Sequence, residues 1–270
     1  MADLFDAVRR GDIATVEALL EKNPRAIARG DTLGMTALMW AAWRGDAPLL
    51  RLLLARGANP SVKDIRGTTA LMLAAEQGRT EAARVLVPLA GEDERGEALR
   101  HAAGTGHIEV ACFLLDEAGA ALEYGGTDGK TPLTCAVLGG HAALAEELLR
   151  RGANLEARSS TVLPLEDRND SGWHPLHYAA DRRHPLLVQL LLTAGAQVDP
   201  QTTEGTTPLM LAARRGDEDC LHLLLRAGAD PLRQNAHASS ALSLARKHGK
   251  PGLLQLFGPV GEDRPGGGRN

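Results

Sequence analysis

Nine histidines and three cysteines are the residues of this 270-residue chain best suited to metal or nucleophilic chemistry. His174 and His177 stand three positions apart, with Tyr178 and His184 close behind. On a helix that spacing brings two imidazoles to one face, as a zinc site requires. A metal-dependent enzyme using these histidines is therefore the one catalytic reading the residues offer. Little else supports it. Cys112, Cys135 and Cys220 are scattered, no CxxC pair exists, and no register places a cysteine beside a histidine that would activate it. There is no GxxxxGK[ST] loop, no HExxH helix and no GxSxG elbow. The expectation is a protein that is not an enzyme, with no catalytic residue, cofactor or metal.

Composition points to closely packed helices. Hydrophobic residues make up 44% of the chain but aromatics only 3%, so the core must be built from leucine and alanine. The net charge of −4 offers no bulk attraction to nucleic acid or to an anionic membrane, and neither is expected as a partner. An odd cysteine count, acids near the N-terminus and no apolar run of spanning length make a cytoplasmic, monomeric protein the expectation.

The elements that would position any site come from a repeat. Gly34-Met-Thr-Ala-Leu-Met-Trp-Ala-Ala42 returns as Gly67-Thr-Thr-Ala-Leu-Met-Leu-Ala-Ala75, Gly129-Lys-Thr-Pro-Leu133, Gly172-Trp-His-Pro-Leu-His-Tyr-Ala-Ala180 and Gly205-Thr-Thr-Pro-Leu-Met-Leu-Ala-Ala213. Gly34 to Gly67 and Gly172 to Gly205 are each 33 positions apart. Thr36, Thr69, Thr131 and Thr207 are placed to cap a helix, and Pro132, Pro175 and Pro208 to begin one, where a missing N–H costs nothing. Gly11, Gly45, Gly78, Gly106, Gly140, Gly216 and Gly249 are placed to end it in the left-handed conformation. A leucine-rich second helix such as Leu49–Leu54 follows and stops at Gly57-Ala-Asn59 or its equivalents. The 33-residue period with a T-P-L-H-x-A core resembles the ankyrin-repeat family over residues 3 to 257. The resemblance implies an all-α solenoid of about eight helix–turn–helix repeats joined by short β-hairpin fingers. It also assigns His177 to hydrogen bonding between neighbouring repeats, and His107 and His141 to a Gly-His turn. The tail 258–270, rich in glycine and charge, is expected to be disordered.

Departures from the rule carry the functional signal. The connection Pro88–Gly96 is about five residues short, so its finger should be missing or collapsed and the stack weak there. Gly152 to Gly172 is 20 positions where 10 is usual, an insertion centred on 159–168 whose Val162, Leu163 and Leu165 suit a recognition loop. In the sixth repeat His174 replaces the capping threonine and Arg183 takes the place of the turn glycine. The resemblance further implies that partners dock on the face made by fingers and first helices. Its exposed positions fall on Met35, Trp43, Arg44, Glu76, Lys130, Trp173, Asp181, Arg182, Arg214, Arg215 and Lys247. An exposed tryptophan is a strong anchor for a partner, and the arginines and Lys247 form a basic rim suited to an acidic or phosphorylated segment. The expected function is a protein-binding adaptor, scaffold or inhibitor, the alternative being a secreted effector acting on a host protein.

Overall fold

The computed structural model describes residues 3–160, 171–247 and 251–257. The proposed contacts Val162, Leu163 and Leu165, the turn glycine Gly249 and the tail 258–270 lie outside them. Sixteen α-helices occur among the described residues, in eight pairs, and the chain divides into two compact blocks between Ala157 and Arg158.

In the first block the leading helices of the pairs are α1 (Leu4–Arg10), α3 (Ala37–Arg44), α5 (Ala70–Glu76), α7 (Glu92–Thr105) and α9 (Pro132–Gly139). Each packs on the next through alanines that are fully buried, among them Ala41, Ala74, Ala103 and Ala136. The second helices α2 (Ile13–Lys22), α4 (Ala47–Ala55), α6 (Thr80–Leu86), α8 (Ile108–Asp116) and α10 (Ala142–Arg150) bury leucines against them. The second block repeats the plan with α11 (Pro175–Asp181), α13 (Pro208–Arg215) and α15 (Ala241–Lys247) in front. Behind them come α12 (Pro185–Thr193), α14 (Glu218–Arg226) and α16 (Pro251–Leu256).

The caps act as their residue types dictate. The hydroxyls of Thr36, Thr69, Thr131 and Thr207 accept the main-chain N–H three residues on, at 3.3–3.5 Å. The turn glycines have φ between 65° and 83°. Arg183, the non-glycine in that series, is forced to φ 60°, as its position predicts.

Among the described residues the fingers are not β-hairpins. No strand occurs among the described residues, and a single bridge pairs Gly30 with Thr36. At four tips an Asp, Thr or Asn accepts the N–H groups that a strand partner would otherwise take. The Asp64 carboxylate accepts from Arg66 (2.9 Å) and Thr68 (2.8 Å). Asp31, Thr202 and Asn235 do the same in their fingers. Three residues on, a left-handed glycine closes the turn, and in the last finger Ala238 does so at φ 53°. The finger Pro88–Gly96 is indeed missing as a finger, but the segment is not collapsed. Val87–Leu89 forms a 3-10 turn, and α7 begins six residues early, reaching 14 residues against seven or eight for the other leading helices. Gly96 lets the Tyr124 ring rest on the extension, since a Cβ there would lie 2.4 Å from it. The extended α7 lies along both α5 and α9, so the first block continues through 88–96 and its boundary falls after Ala157.

These turns set a stability test. Gly78→Ala must hold φ 66° with a Cβ only 2.6 Å from the His107 ring, and should cost about 1–2 kcal/mol or more. Ala238→Gly relieves the reverse situation and should add up to about 1 kcal/mol. Urea denaturation of both variants checks the pair.

Candidate binding surface

The C-terminal ends of the leading helices leave unpaired carbonyls, which basic side chains from neighbouring repeats cover. The Arg44 guanidinium donates to the Arg9 carbonyl, Arg79 Nε–H to that of Trp43 (3.4 Å), and His141 Nε2–H to that of Gly104 (3.1 Å). In the second block Arg183 donates to the Arg215 carbonyl. Part of the basic character expected to face a partner is thus employed in holding repeat to repeat.

Trp43 stands in the open, 41% exposed, at the end of α3. Its ring meets the edge of Trp40 at 5.9 Å and 72°, and Trp40 is fixed by its Nε1–H to the Asp31 carboxylate (2.9 Å) and by the Arg9 guanidinium over its face (4.8 Å). Arg44 and Arg79 flank it, both exposed. An exposed aromatic held by a fixed one loses little freedom when it is covered.

Two of the other expected contacts require correction. Met35 is buried, 7% exposed, because its N–H and C=O both bond to Asp31 and turn the chain inward. Trp173 is likewise buried, 8% exposed. Its main chain pairs with Ser159, and its indole packs 5.0 Å from Tyr178 and 6.0 Å from His177. Asp181, also expected at the surface, is 4% exposed and accepts from Arg214 (3.3 Å) and from Arg215 (2.8 Å, through both oxygens). Of the basic rim, Arg182, Arg246 and Lys247 are exposed, while Arg214 and Arg215 spend charge on Asp181. Glu76 is half-buried between Arg66 (3.9 Å) and His101 (3.6 Å), and the Lys130 ammonium sits 3.2 Å from Asp128.

In the sixth repeat His177 ties its own helix start to the next finger. The His174 N–H donates to His177 Nδ1 (3.1 Å), so His177 carries its proton on Nε2 and donates to the Thr206 carbonyl (3.0 Å). Burial pushes the His177 imidazole down to about 3. Among the described residues no three metal-ligating side chains are grouped to hold an ion. Burial also raises the Cys135 thiol and pushes Cys220 up to about 12, well away from thiolate chemistry. No helix among the described residues is long and apolar enough to cross a membrane.

The repeat pattern does not single out Glu97, Arg100 and His101. All three lie on the extended α7, where Arg100 binds Glu97 (2.8 Å) and Asp128 (2.6 Å). The short connection and the Glu97–Arg100 spacing were the available signals.

Helix pairs ending in left-handed turns, stacked front to front and back to back, define a helical-repeat scaffold. The sequence profile described as ankyrin repeats (3 copies) matches residues 4–64, 41–124, 89–159, 122–202 and 158–235. This chain belongs to the ankyrin-repeat family, whose repeats serve as protein–protein interaction modules. Probable E3 ubiquitin-protein ligase XBOS32 of Oryza sativa subsp. japonica is 34% identical over 213 residues, covering 76% of this chain and 40% of its own length. E3 ubiquitin-protein ligase XBAT32 of Arabidopsis thaliana is 32% identical over 213 residues, covering 76% and 38%. The chain therefore spans about two fifths of these plant relatives. The crystal structure of the human ASB11 ankyrin repeat domain superposes with a TM-score of 0.67 at 28% identity, covering 83% of this chain and 96% of that one.

Two outcomes test these placements. Trp173→Ala should cost about 3–5 kcal/mol, as loss of a buried aromatic does, while Trp43→Ala should leave the melting temperature within a degree or two; thermal denaturation separates them. His177 gives a pH dependence. Between about 3 and 6.5 the unfolded chain binds a proton that the folded chain refuses, so stability present above pH 6.5 falls as pH drops through that window. The stability difference between wild type and His177→Gln should shrink from pH 7 to pH 4.5 in urea titrations.

Proposed function

We propose that this chain is a non-enzymatic recognition module, an adaptor, scaffold or inhibitor that buries a partner protein against its fingers and leading helices. The observation that carries this reading is Trp43, an exposed aromatic anchored on Trp40 and bordered by Arg44 and Arg79. Large, rigid, amphipathic side chains of this kind dominate the energy of protein interfaces. In the second block Arg182, Arg246 and Lys247 offer exposed positive charge to an acidic or phosphorylated segment. The named ligases match this chain over only part of their length. We therefore assign ubiquitin transfer to none of its residues and give it the recognition half of any such activity. A cytoplasmic site of action fits three unpaired thiols, of which Cys220 is buried.

The experiment is site-specific photo-crosslinking in cells, with p-benzoylphenylalanine at Trp43 and, as control, at Arg51 on the outer face of α4. A discrete partner adduct at position 43, absent at 51 and competed by excess wild-type protein, is expected. Equal labelling at both positions would sink the proposal. For the basic rim, Arg182→Glu is the clean variant and should lower the salt dependence of binding without loss of helicity. Arg215→Glu removes the two-point partner of the buried Asp181 carboxylate and sets a like charge beside it, and should itself cost about 1–3 kcal/mol of stability.

A further inference from the structure

The shortened connection between the third and fourth repeats leaves a place empty. Elsewhere in each block, neighbouring finger tips are tied by one main-chain bond. Ile65 N–H donates to the Leu33 carbonyl (3.0 Å), Thr203 to Ser171 (3.4 Å) and Ala236 to Glu204 (2.8 Å). The equivalent atoms on either side of Pro88–Gly96 are the Arg66 carbonyl and the Thr127 N–H. Among the described residues neither has a hydrogen-bond partner. Between these two tips lies a hollow of about 400 Å³, bounded by Lys63, Thr68 and Thr127 and floored by Glu97, Arg100 and His101 of α7. It shares Arg66 and its floor with a second hollow of about 460 Å³, which runs on past Glu76 to Gly104 and Gly139. Substituting a helix for the finger has thus opened a groove where the other described pairs of tips within each block are tied.

The charged side chains along the groove are balanced. Lys63, Arg66 and Arg100 face Glu76, Glu97 and Asp128. Burial holds the His101 imidazole below its ordinary value and so neutral at pH 7. A charged occupant would meet repulsion from one set or the other. Two polar atoms along the groove make no hydrogen bond, one an acceptor (Glu76 Oε2, whose neighbours Arg66 and His101 stand 3.9 Å and 3.6 Å away) and one a donor (Arg100 Nε–H). Such atoms are costly to leave unpaired. Both side chains line the second hollow, and a turn of the Glu76 carboxylate about its last bond exchanges its two oxygens. A carboxamide offers the matching N–H and C=O together. The Arg66 carbonyl and the Thr127 N–H are the two main-chain atoms that the missing finger would have bonded.

We propose that the seat of the missing finger is a recognition site for a short loop of a partner protein, which takes the finger's place and presents an asparagine or glutamine at its tip. This rests on the reading of the chain as a protein-binding module and names where and what it binds. The main chain of the loop bonds to Arg66 and Thr127, and its carboxamide reaches Glu76 and Arg100.

Gly104 provides the block. Its backbone is not left-handed, and a Cβ there would meet nothing closer than Cys135 at 4.0 Å, so Gly104→Leu adds bulk at the groove wall from an unhindered Cβ and favours the helix. A phage library of disulfide-closed seven-residue loops is selected on the folded, full-length protein. The expected loops share an asparagine or glutamine and compete with one another. They shift the Thr127 amide and Arg100 Nε–H resonances. They bind Gly104→Leu at least tenfold more weakly at an unchanged or higher melting temperature, and lose at least tenfold when the carboxamide is changed to the matching acid. Should Gly104→Leu lower the melting temperature, Thr105→Trp at the exposed rim replaces it as the block. Loops that bind wild type and blocked protein equally, an acidic version that binds more tightly, or no enrichment at all would each overturn the proposal. So would a concentration-dependent dimer in the ultracentrifuge that Gly104→Leu abolishes, because a second copy would then be the occupant. Crosslinking at position 43 that persists through any of these outcomes would leave the general binding reading standing.

Discussion

Successive leading helices approach so closely that little beyond alanine and glycine fits between them, and the rest of the structure follows from that contact. The alanine pairs Ala41–Ala42, Ala74–Ala75, Ala102–Ala103, Ala179–Ala180 and Ala212–Ala213 are sealed from solvent. At Gly139 a Cβ would lie 2.4 Å from the Gly104 carbonyl. No single pair of short helices buries enough apolar surface to stand alone, so each repeat is held by its neighbours and stability accumulates along each block. Small front residues require the bulk to come from behind, where leucines such as Leu53, Leu86, Leu114 and Leu148 fill the space.

The same closeness brings helix ends together and creates a carbonyl problem that basic side chains solve. Arg44, Arg79, His141 and Arg183 each cover a carbonyl near the end of a leading helix in an adjoining repeat. Cations at helix C-termini also complement the macrodipole. A run of arginines at such positions is therefore first a structural device. Only the members that remain uncommitted, such as Arg182 and Lys247, are available to a partner. Asp181 sharpens the distinction, since two arginines of the rim are the counter-ions of a carboxylate that has lost its water.

Finger tips show how one residue type can stand in for a sheet. A side-chain oxygen from Asp31, Asp64, Thr202 or Asn235 takes two main-chain N–H groups and leaves no ladder to form. In the finger after α8 that position is Gly126, with no side chain to offer. Arg100 pins the finger instead through Asp128. The loss of one finger and the altered anchoring of the next occur around the same extended helix.

The amino-acid sequence by itself determined the repeat, the caps and the turns. Capping threonines, first-turn prolines and left-handed glycines act within a few residues of themselves, so their effect is written in local order. Even the strain at Arg183 could be read there, from a missing glycine at a fixed step. Tertiary structure alone decided which side chains face water. Trp43 and Trp173 occupy comparable variable positions, yet one ends on the surface against Trp40 and the other beneath Ser159 and Tyr178. Met35 and Asp181 were misplaced for the same reason. Burial depends on what the neighbouring repeat and the returning finger lay over a position, and those partners lie tens of residues away in the chain. The groove over α7 belongs to this second kind. A short connection announces a missing finger, but only the packed repeats on either side show that its seat is left open.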